Sequence, residues 1–248
     1  MRIKTAAEIE TLTHCGKMLA GIMSHILERT LVGTNGRDLA DVAEQMIRDA
    51  GGIPIFKGYG DPPFPDALCV SLNDCVVHGI PSDYTLQSGD IVSLDIGMSW
   101  HGMITDMART VIVGTPQGED TKLLDATKVA LDRAIAVVRP GSTTGDIGHA
   151  VQSYIKPLGY GIVRDLAGHG TGHALHEDPS IPNFGEAGKG ARLEEGMVIA
   201  IEPMITAGSE KVRYAADDWS VMTRDHSRAA HFEDTMVVTA NGCTVVTR

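Results

Sequence analysis

Cysteine is scarce in this sequence, and its cysteines do not occur in closely spaced pairs. The four are Cys15, Cys69, Cys75 and Cys243, and no two of them form the CxxC spacing typical of zinc fingers. This argues against a structural zinc finger and, without an export signal, predicts reduced thiols in the cytosol. A metal ion would therefore be held by histidine and carboxylate groups, which favour Mn, Fe, Co or Zn.

Long apolar runs and long basic runs are also missing. The first residues, MRIKTAAEIETLTHCGK, are interrupted by charges and fit neither a signal peptide nor a membrane span, and no later segment is apolar enough to cross a bilayer. The 21 Lys and Arg against 32 Asp and Glu leave a net charge of -11, which argues against a nucleic-acid footprint over the whole surface. We expect a cytoplasmic protein with no membrane partner and no direct nucleic-acid specificity.

Four helices are predicted, and two of them carry clear start signals. Thr5 with Glu8, and Thr143 with Asp146, have the capping spacing in which each side chain satisfies a free backbone N–H group. The predicted helices are one that follows Thr5, with apolar residues from Ile9 to Ile26, and others over 36–50, 121–138 and 144–156. No linker rich in proline or serine divides the 248 residues, so we predict one domain.

The remaining segments have the pattern of strands and loops. Residues 53–70 are rich in Pro, Gly and aromatics and predict a shaped loop, whereas 90–98 and 104–114 predict a β-hairpin. The stretch 160–248 predicts mostly strands and loops. The segments 32–47 and 140–155 resemble each other, each with a loop, a cap and an amphipathic helix, which suggests two related halves.

Two aspartates in the predicted hairpin raise the question of a metal site. Asp95 and Asp106 can lie on adjacent antiparallel strands and face the same side, toward the interior. Two ionised carboxylates close together in a low dielectric repel each other, and a pair of cations would offset that repulsion. Two exposed aspartates on a surface hairpin remain the alternative.

Three further residues extend this hypothesis. Glu202 stands within the apolar run MVIAIEPMI, Glu233 begins another apolar run, and His169 lies between two glycines. Each has an ordinary alternative: an edge-strand glutamate facing water for the first two, and a solvated loop histidine for the third. Taken together, two Asp, two Glu and one His form a ligand set suited to a dinuclear metal site.

The same residues carry a resemblance to a known family. In this order and spacing the chain resembles a type I methionine aminopeptidase, a metallopeptidase of the M24 type, along nearly its whole length. The segments that carry the resemblance are IKTAAEIE (3–10), VHGIP (77–81), DIG (95–97), TDMART (105–110), VRPGSTTGDI (138–147), GHGTGHALHEDP (168–179), IEPM (201–204), DDWSVMTRD (217–225) and FED (232–234).

The resemblance implies an α+β pita-bread fold, with two halves related by a pseudo-twofold axis around a central antiparallel sheet. It implies one catalytic metallopeptidase domain over residues 1–248, with no N-terminal extension. It also implies two divalent metal ions, Co, Mn, Fe or Zn. Asp95 would bind one ion in bidentate fashion, Asp106 and Glu233 would bridge the two ions, and His169 and Glu202 would complete the other.

The implied activity is removal of the N-terminal methionine from newly synthesised proteins, with a preference for a small second residue. A metal-bridged hydroxide would attack the scissile carbonyl, with Glu202 as the proton shuttle. His176 would hydrogen-bond the carbonyl or its oxyanion, and His78 would contact the peptide nitrogen or the next residue. The expected partners are the N-termini of nascent polypeptides at the ribosome, and the expected oligomeric state is a monomer.

The resemblance also implies an apolar pocket for the methionine side chain. The residues that would line it are Tyr59, Phe64, Cys69, Leu175 and Trp219. Ordinary core packing is the alternative for the three aromatic residues, and a small buried filler is the alternative for Cys69.

This sequence departs from the family pattern in three places. The loop GYGDPPFP (58–65) is longer than the usual pocket loop, and His173 stands where many members have arginine. His231 and Asp234 flank Glu233 where glutamine and histidine are more usual. A histidine beside a bridging glutamate could orient ligands or tune the choice of metal.

Three other functions fit part of the pattern. An Xaa-Pro peptidase or creatinase relative shares the fold but usually carries an extra N-terminal domain, which 248 residues cannot hold. A non-catalytic protein of this fold typically lacks metal ligands, all of which are present here. A mononuclear iron oxygenase using His169 would need a second histidine ligand and an oxidisable co-substrate.

Overall fold

The helices form nearly where the sequence predicts them. The computed structural model describes residues 2–248 and contains four α-helices, α1 (Ala6–Arg29), α2 (Gly36–Asp49), α3 (Gly118–Ala136) and α4 (Thr144–Ile155), with a 3₁₀ turn at Lys156–Leu158. Both predicted capping boxes are present, at Thr5 and at Thr143. Helix α3 begins before the predicted residue 121, since the acidic Glu119 and Asp120 in its first turn favour a helix N-terminus, and it ends two residues before 138.

Fifteen strands form the β-structure of residues 2–248, and every pair of strands among these residues is antiparallel. The strands are β1 (Ile53–Pro54), β2 (Leu68–Leu72), β3 (Cys75–Val77), β4 (Ile91–Trp100), β5 (Met103–Ile112), β6 (Gly161–Ile162), β7 (Gly168–Gly170), β8 (Glu177–Ile181), β9 (Val198–Ile201), β10 (Met204–Thr206), β11 (Val212–Tyr214), β12 (Val221–Thr223), β13 (Ala229–His231), β14 (Glu233–Thr239) and β15 (Gly242–Val245).

A nine-stranded sheet runs through the centre of the molecule. Its strands follow the order β1-β4-β5-β14-β9-β7-β8, with β2 paired to β4 and β15 paired to β14. The predicted hairpin is β4 and β5, which stay paired over their full lengths. Two three-stranded sheets, β13-β10-β6 and β11-β12-β3, complete the fold. The α+β class predicted from the sequence is confirmed.

The helices cover the sheet in two pairs, one for each half of the chain. One buried core joins α1 and α2 to residues of β2 and β4, and another joins α3 and α4 to residues of β9 and β14. The caps of α2 and α4 are built alike, since the Asn35 side chain accepts from the Asp38 N–H group and the Thr143 side chain accepts from that of Asp146. The two similar segments of the sequence therefore occupy equivalent places in two halves.

Three segments differ in detail from the sequence-based expectation. Residues 53–70 are largely the shaped loop predicted, but Ile53–Pro54 pairs with the end of β4. His169, for which a solvated loop was the alternative, lies in strand β7, whose backbone pairs with both β8 and β9. The apolar run 197–205 forms two strands and is broken at Glu202 and Pro203, which leaves β9 and β10 in different sheets. Among the described residues 2–248, no helix is long and apolar enough to cross a bilayer.

Candidate metal site and substrate pocket

Strand register brings three carboxylates to one face of the central sheet. Ala108 on β5 is the register partner of Asp95 on β4 and also of Glu233 on β14. Residues in register across a sheet point to the same side, and so does Asp106, which lies two positions before Ala108. The small Ala108 side chain leaves space between the acids. The face that the hairpin pattern predicted for Asp95 and Asp106 is therefore shared by Glu233.

His169 and Glu202 reach the same face from the part of the sheet that lies beyond β14, where β9 and β7 follow. His169 is paired with Ala200 on β9, and its Nε2 lies 3.7 Å from Glu202 Oε1. His169 Nδ1 lies 3.0 Å from the Gly170 carbonyl oxygen, which can only accept. Nδ1 therefore carries the proton, and the lone pair of Nε2 faces the carboxylates. The Asn183 side-chain amide donates to the Glu202 carbonyl and holds the break after β9 in place.

These side chains form two overlapping groups with the spacing of metal ligands. One group is Asp106, His169 and Glu233, and the other is Glu202, His231 and Glu233, with the potential ligand atoms of each group within 4.8 Å of one another. Glu233 belongs to both groups. Asp95 lies on the same face but in neither group. The structure thus brings the five predicted ligands to one place and adds His231 to them.

Burial makes this cluster electrostatically costly in the absence of cations. It raises the pKa of Asp95 to about 7 and that of Glu202 to about 8. Burial and then the neighbouring carboxylates hold the pKa values of Asp106 and Glu233 well above their usual range. Burial is the largest cause for all four acids, and neighbouring carboxylates add to it for all but Glu202, so the cluster favours a bound positive charge.

The unsatisfied atoms of the cluster match the donor set of a metal site. Asp95 Oδ1, Asp106 Oδ1, Glu233 Oε1 and both ring nitrogens of His231 are buried without a hydrogen-bond partner. Buried polar atoms without partners are rare, and those of this cluster are all carboxylate oxygens or imidazole nitrogens. Carboxylate and imidazole ligands suit divalent ions such as Mn, Fe, Co and Zn. The residues present therefore fit a divalent metal site.

Two further histidines stand beside the acids. His78 follows β3 with a positive φ of 58°, and burial lowers its pKa to about 4. Gly79 is held close to β2, where a Cβ would lie 2.3 Å from the Val70 carbonyl oxygen. His176 packs edge-on against His169, with ring centroids 4.4 Å apart, and burial lowers its pKa. Both imidazoles are neutral near pH 7 and can act as hydrogen-bond donors.

The predicted pocket residues line one cavity together with the acids and histidines. The apolar part of the wall is Phe56, Tyr59, Phe64, Cys69, Leu175 and Trp219. Burial raises the pKa of the Cys69 thiol well above its usual value, so the thiol stays neutral. The Trp219 indole N–H donates to the Pro62 carbonyl oxygen across 3.1 Å, and the Phe64 ring meets Trp219 edge-on. The long 58–65 loop thus forms one wall of the cavity.

Sequence reasoning missed Phe56 and underestimated His231. Phe56 belongs to the same aromatic loop as Tyr59, and its place in a stretch rich in Pro, Gly and aromatics was the only signal. Of the other unusual residues, Asp234 faces away from the acids and pairs with Arg109 and Arg248 at 2.7 Å each. His173 lies outside the cavity and contacts Glu8 at 2.9 Å.

Comparison with known proteins identifies the family. Residues 10–240 match the model of metallopeptidase family M24. Methionine aminopeptidase 1 of Bacillus subtilis is 40% identical over 245 residues, which cover 99% of this chain and 98% of the relative. The crystal structure of methionine aminopeptidase from Thermotoga maritima superposes with a TM-score of 0.97 at 38% identity, covering 100% of this chain and 99% of that chain.

A second group of similar structures shares the fold at lower identity. Prolidase from Pyrococcus furiosus has a TM-score of 0.79 at 25% identity, and the match covers 99% of this chain and 65% of that one. The pita-bread architecture predicted from the sequence is confirmed by both groups. Identity and coverage are higher for the first group, which matches from end to end. The chain belongs to metallopeptidase family M24 and, within that family, to the methionine aminopeptidases.

Proposed function

We propose that this protein removes the N-terminal methionine from peptides and newly made proteins in a metal-dependent reaction, with a preference for a small second residue. The observation that carries the proposal is that a candidate metal site and an apolar pocket share one cavity. A buried group of acids and histidines, shaped to hold divalent ions, opens directly onto an apolar pocket. Full-length similarity to methionine aminopeptidases supports the same substrate.

Asp95, Asp106, His169, Glu202 and Glu233 would hold two divalent ions, of Co, Mn, Fe or Zn. When bound, such ions lower the pKa of a coordinated water and polarise a carbonyl group. The remaining tasks fall to the protein. Glu202 lies at the edge of the cluster, where its carboxylate would accept a proton from the attacking water and return it to the leaving amine.

The histidines would position the scissile bond. The Tyr59 hydroxyl lies 2.7 Å from His176 Nδ1. If that hydroxyl donates to Nδ1, the proton of the His176 ring is on Nε2, which can then donate to the scissile carbonyl oxygen and to the oxyanion that develops there. His78, held in its positive-φ conformation beside Trp219, would contact the peptide nitrogen or the next residue.

The pocket explains the choice of methionine. Its wall is apolar and contains the neutral Cys69 thiol, and a flexible thioether packs well against aromatic rings and sulfur. The free amine of the substrate would lie beside the acids, which accounts for an exopeptidase. We extend the proposal to N-termini of nascent chains at the ribosome, to action in the cytoplasm and to a monomeric protein. Sedimentation with and without ribosomes tests the partner and the oligomeric state.

The decisive experiment measures methionine release from Met-Ala-Ser by metal-free protein titrated with Co, Mn, Fe and Zn. We expect metal-dependent release, and a loss of about a hundredfold to ten-thousandfold in Glu202→Gln, which lacks the proton acceptor. Metal content of the variant is measured in parallel, because Glu202 is also a proposed ligand. No release with any of the metals from a folded protein would overturn the proposal.

An Ala-Pro peptide tests the alternative activity in the same assay. The similarity to prolidases shows that this fold also occurs in enzymes named for Xaa-Pro cleavage. Cleavage of the Ala-Pro peptide without methionine release would assign the chain to that activity instead. Cleavage of neither peptide, with no divalent metal bound, would favour a binding protein.

A further inference from the structure

His231 is the most isolated polar side chain of the cluster. It is 1% exposed, and neither ring nitrogen has a hydrogen-bond partner. Each imidazole nitrogen carries either an N–H donor or a lone pair. Leaving both nitrogens without a partner in the interior of a protein is costly. A buried histidine of this kind requires a partner that the polypeptide itself does not supply.

The backbone holds His231 rigidly toward the acids. Its main-chain N–H donates to Thr110 Oγ1 at 2.9 Å, and the same hydroxyl donates to the His231 carbonyl oxygen at 2.6 Å. In the β10–β13 pair, His231 lies opposite Met204. Glu202 is two residues before Met204, so His231 and Glu202 approach the cavity from neighbouring positions. The imidazole is therefore directed at the acids by two strands and not by a loop.

The distances fit a shared ion better than a hydrogen bond. His231 Nε2 lies 3.5 Å from Glu202 Oε2 and 3.8 Å from Glu233 Oε2. These separations exceed the usual N–H···O range of about 2.7 to 3.2 Å. Two ligand atoms that are each about 2.1 Å from one tetrahedral metal ion are about 3.4 Å apart. The spacing at His231 is thus close to that expected across a metal ion.

We propose that His231 Nε2 is a direct metal ligand, acting with Glu202 and Glu233, so that the site offers two imidazoles where the usual family pattern has one. This inference rests on the proposed metal-dependent function. Imidazole suits borderline ions, so the second histidine favours Co, Fe or Zn over Mn.

The test detects the nitrogen–metal bond itself. Protein labelled with ¹⁵N-histidine is loaded with ¹¹³Cd, and one-bond coupling between ¹¹³Cd and imidazole nitrogen is recorded by NMR. We expect two coupled imidazoles, one lost in His231→Gln and the other in His169→Asn. His173→Gln is the matched control, because His173 lies outside both ligand groups and its replacement leaves both couplings in place.

His231→Gln also separates ligation from hydrogen bonding. Glutamine keeps an N–H donor that could reach Glu202 but removes the imidazole. We expect Co affinity to fall about tenfold to a hundredfold, and Mn affinity to fall less, as measured by calorimetric titration of the folded variant. Coupling only from His169 in the fully loaded protein, or no binding of Cd at all, would overturn the proposal.

The two proposals can fail independently. A single coupled imidazole together with methionine release from Met-Ala-Ser would leave the proposed function intact and remove His231 from the ligand set. Two coupled imidazoles without methionine release would establish the ligand and overturn the aminopeptidase activity. The coupling is read on the resting protein and does not depend on turnover.

Discussion

At the scale of single residues, the tautomer of each histidine at the site depends on what its ring nitrogens contact. His169 donates from Nδ1 to the Gly170 carbonyl oxygen, and His176 Nδ1 faces the Tyr59 hydroxyl, so in each ring the other nitrogen faces the cavity. His231 has no such contact on either nitrogen. The chemical role of an imidazole depends on this assignment, because one tautomer presents a lone pair and the other a proton.

The Tyr59 hydroxyl provides a test of the His176 assignment. Tyr59→Phe removes the hydroxyl but keeps the ring in the pocket wall. We expect kcat/KM for Met-Ala-Ser to fall about twofold to tenfold, the equivalent of one ordinary hydrogen bond. His176→Ala, which removes the proposed donor itself, should lower kcat about a hundredfold to a thousandfold. Equal rates in Tyr59→Phe and the unmodified protein would contradict the proposed tautomer.

A second residue-scale prediction concerns pH and the buried Lys4. The Lys4 ammonium lies 2.8 Å from Glu177 Oε2, and the Glu177 carboxylate also accepts from the backbone N–H groups of His173 and Ala174. Although burial opposes ionisation of Glu177, these hydrogen bonds lower its pKa below the ordinary 4.5. The stabilisation is therefore complete above pH 4.5 and is lost as the pH falls through the lower folded-state value.

Glu177→Gln should remove this stabilisation. We expect the variant to lose about 1–3 kcal/mol of unfolding free energy near neutral pH, because the buried Lys4 side chain loses its carboxylate partner. The difference between the two proteins should shrink as the pH falls below 4.5, where Glu177 of the unfolded chain becomes protonated. Urea unfolding at several pH values measures this difference in unfolding free energy. The exposed Glu195→Gln is the control, and a difference independent of pH would refute the role of the charge.

At the scale of secondary-structure elements, the short strand β7 decides where His169 lies. Gly168 lies so close to β9 that a Cβ at this position would be 2.5 Å from the Ala200 carbonyl oxygen. That oxygen belongs to the backbone of a central strand and cannot move aside. A glycine is needed here because it allows the close approach of two strands.

Gly168→Ala should therefore displace β7 and His169 with it. We expect a loss of about 1–3 kcal/mol of stability from overpacking, together with weaker metal binding, measured by thermal unfolding and calorimetric titration. Gly21→Ala is the matched control, since a Cβ at Gly21 in α1 meets nothing within 4 Å. That variant should gain about 0.4–1 kcal/mol. Unchanged metal affinity in Gly168→Ala would contradict the argument.

At the scale of the whole molecule, metal binding and stability are coupled through the central sheet. Asp95, Asp106 and Glu233 come from three adjacent strands, so the cost of burying these acids together opposes the pairing that holds the two halves together. A ligand that binds only the folded state stabilises it, by about 2.7 kcal/mol at a hundredfold excess over Kd. Divalent ions should therefore raise the melting temperature, and chelation should lower it.

Asp106→Asn distinguishes this coupling from an unspecific effect of salt. The amide has nearly the shape of the carboxylate but no charge, so we expect the metal-free variant to melt at a higher temperature than the metal-free parent. Its melting temperature should respond little to Co or Mn, because a ligand is missing. Calorimetric scans with metal and with EDTA give both values. A full metal response in this variant would exclude Asp106 from the site.

Much of this protein could be predicted from the sequence alone. The capping boxes at Thr5 and Thr143, the hairpin around residue 100 and the α+β class follow from local chemistry, because caps, turns and alternation act between residues close in the chain. The family also followed from the sequence, because its motifs are short and keep their order. The five candidate ligands were predicted in this way.

Only the tertiary structure decided which side chains meet. That Asp95 and Glu233 share the register partner Ala108 depends on the pairing of three strands from distant parts of the chain. The direction of His231 depends on β13 pairing with β10, and Asp234, its near neighbour, faces the opposite side. Sequence order determines which residue types are available, whereas register determines which of them share a face. For this reason His231 points toward the acids, whereas Asp234, three residues later, pairs with two arginines.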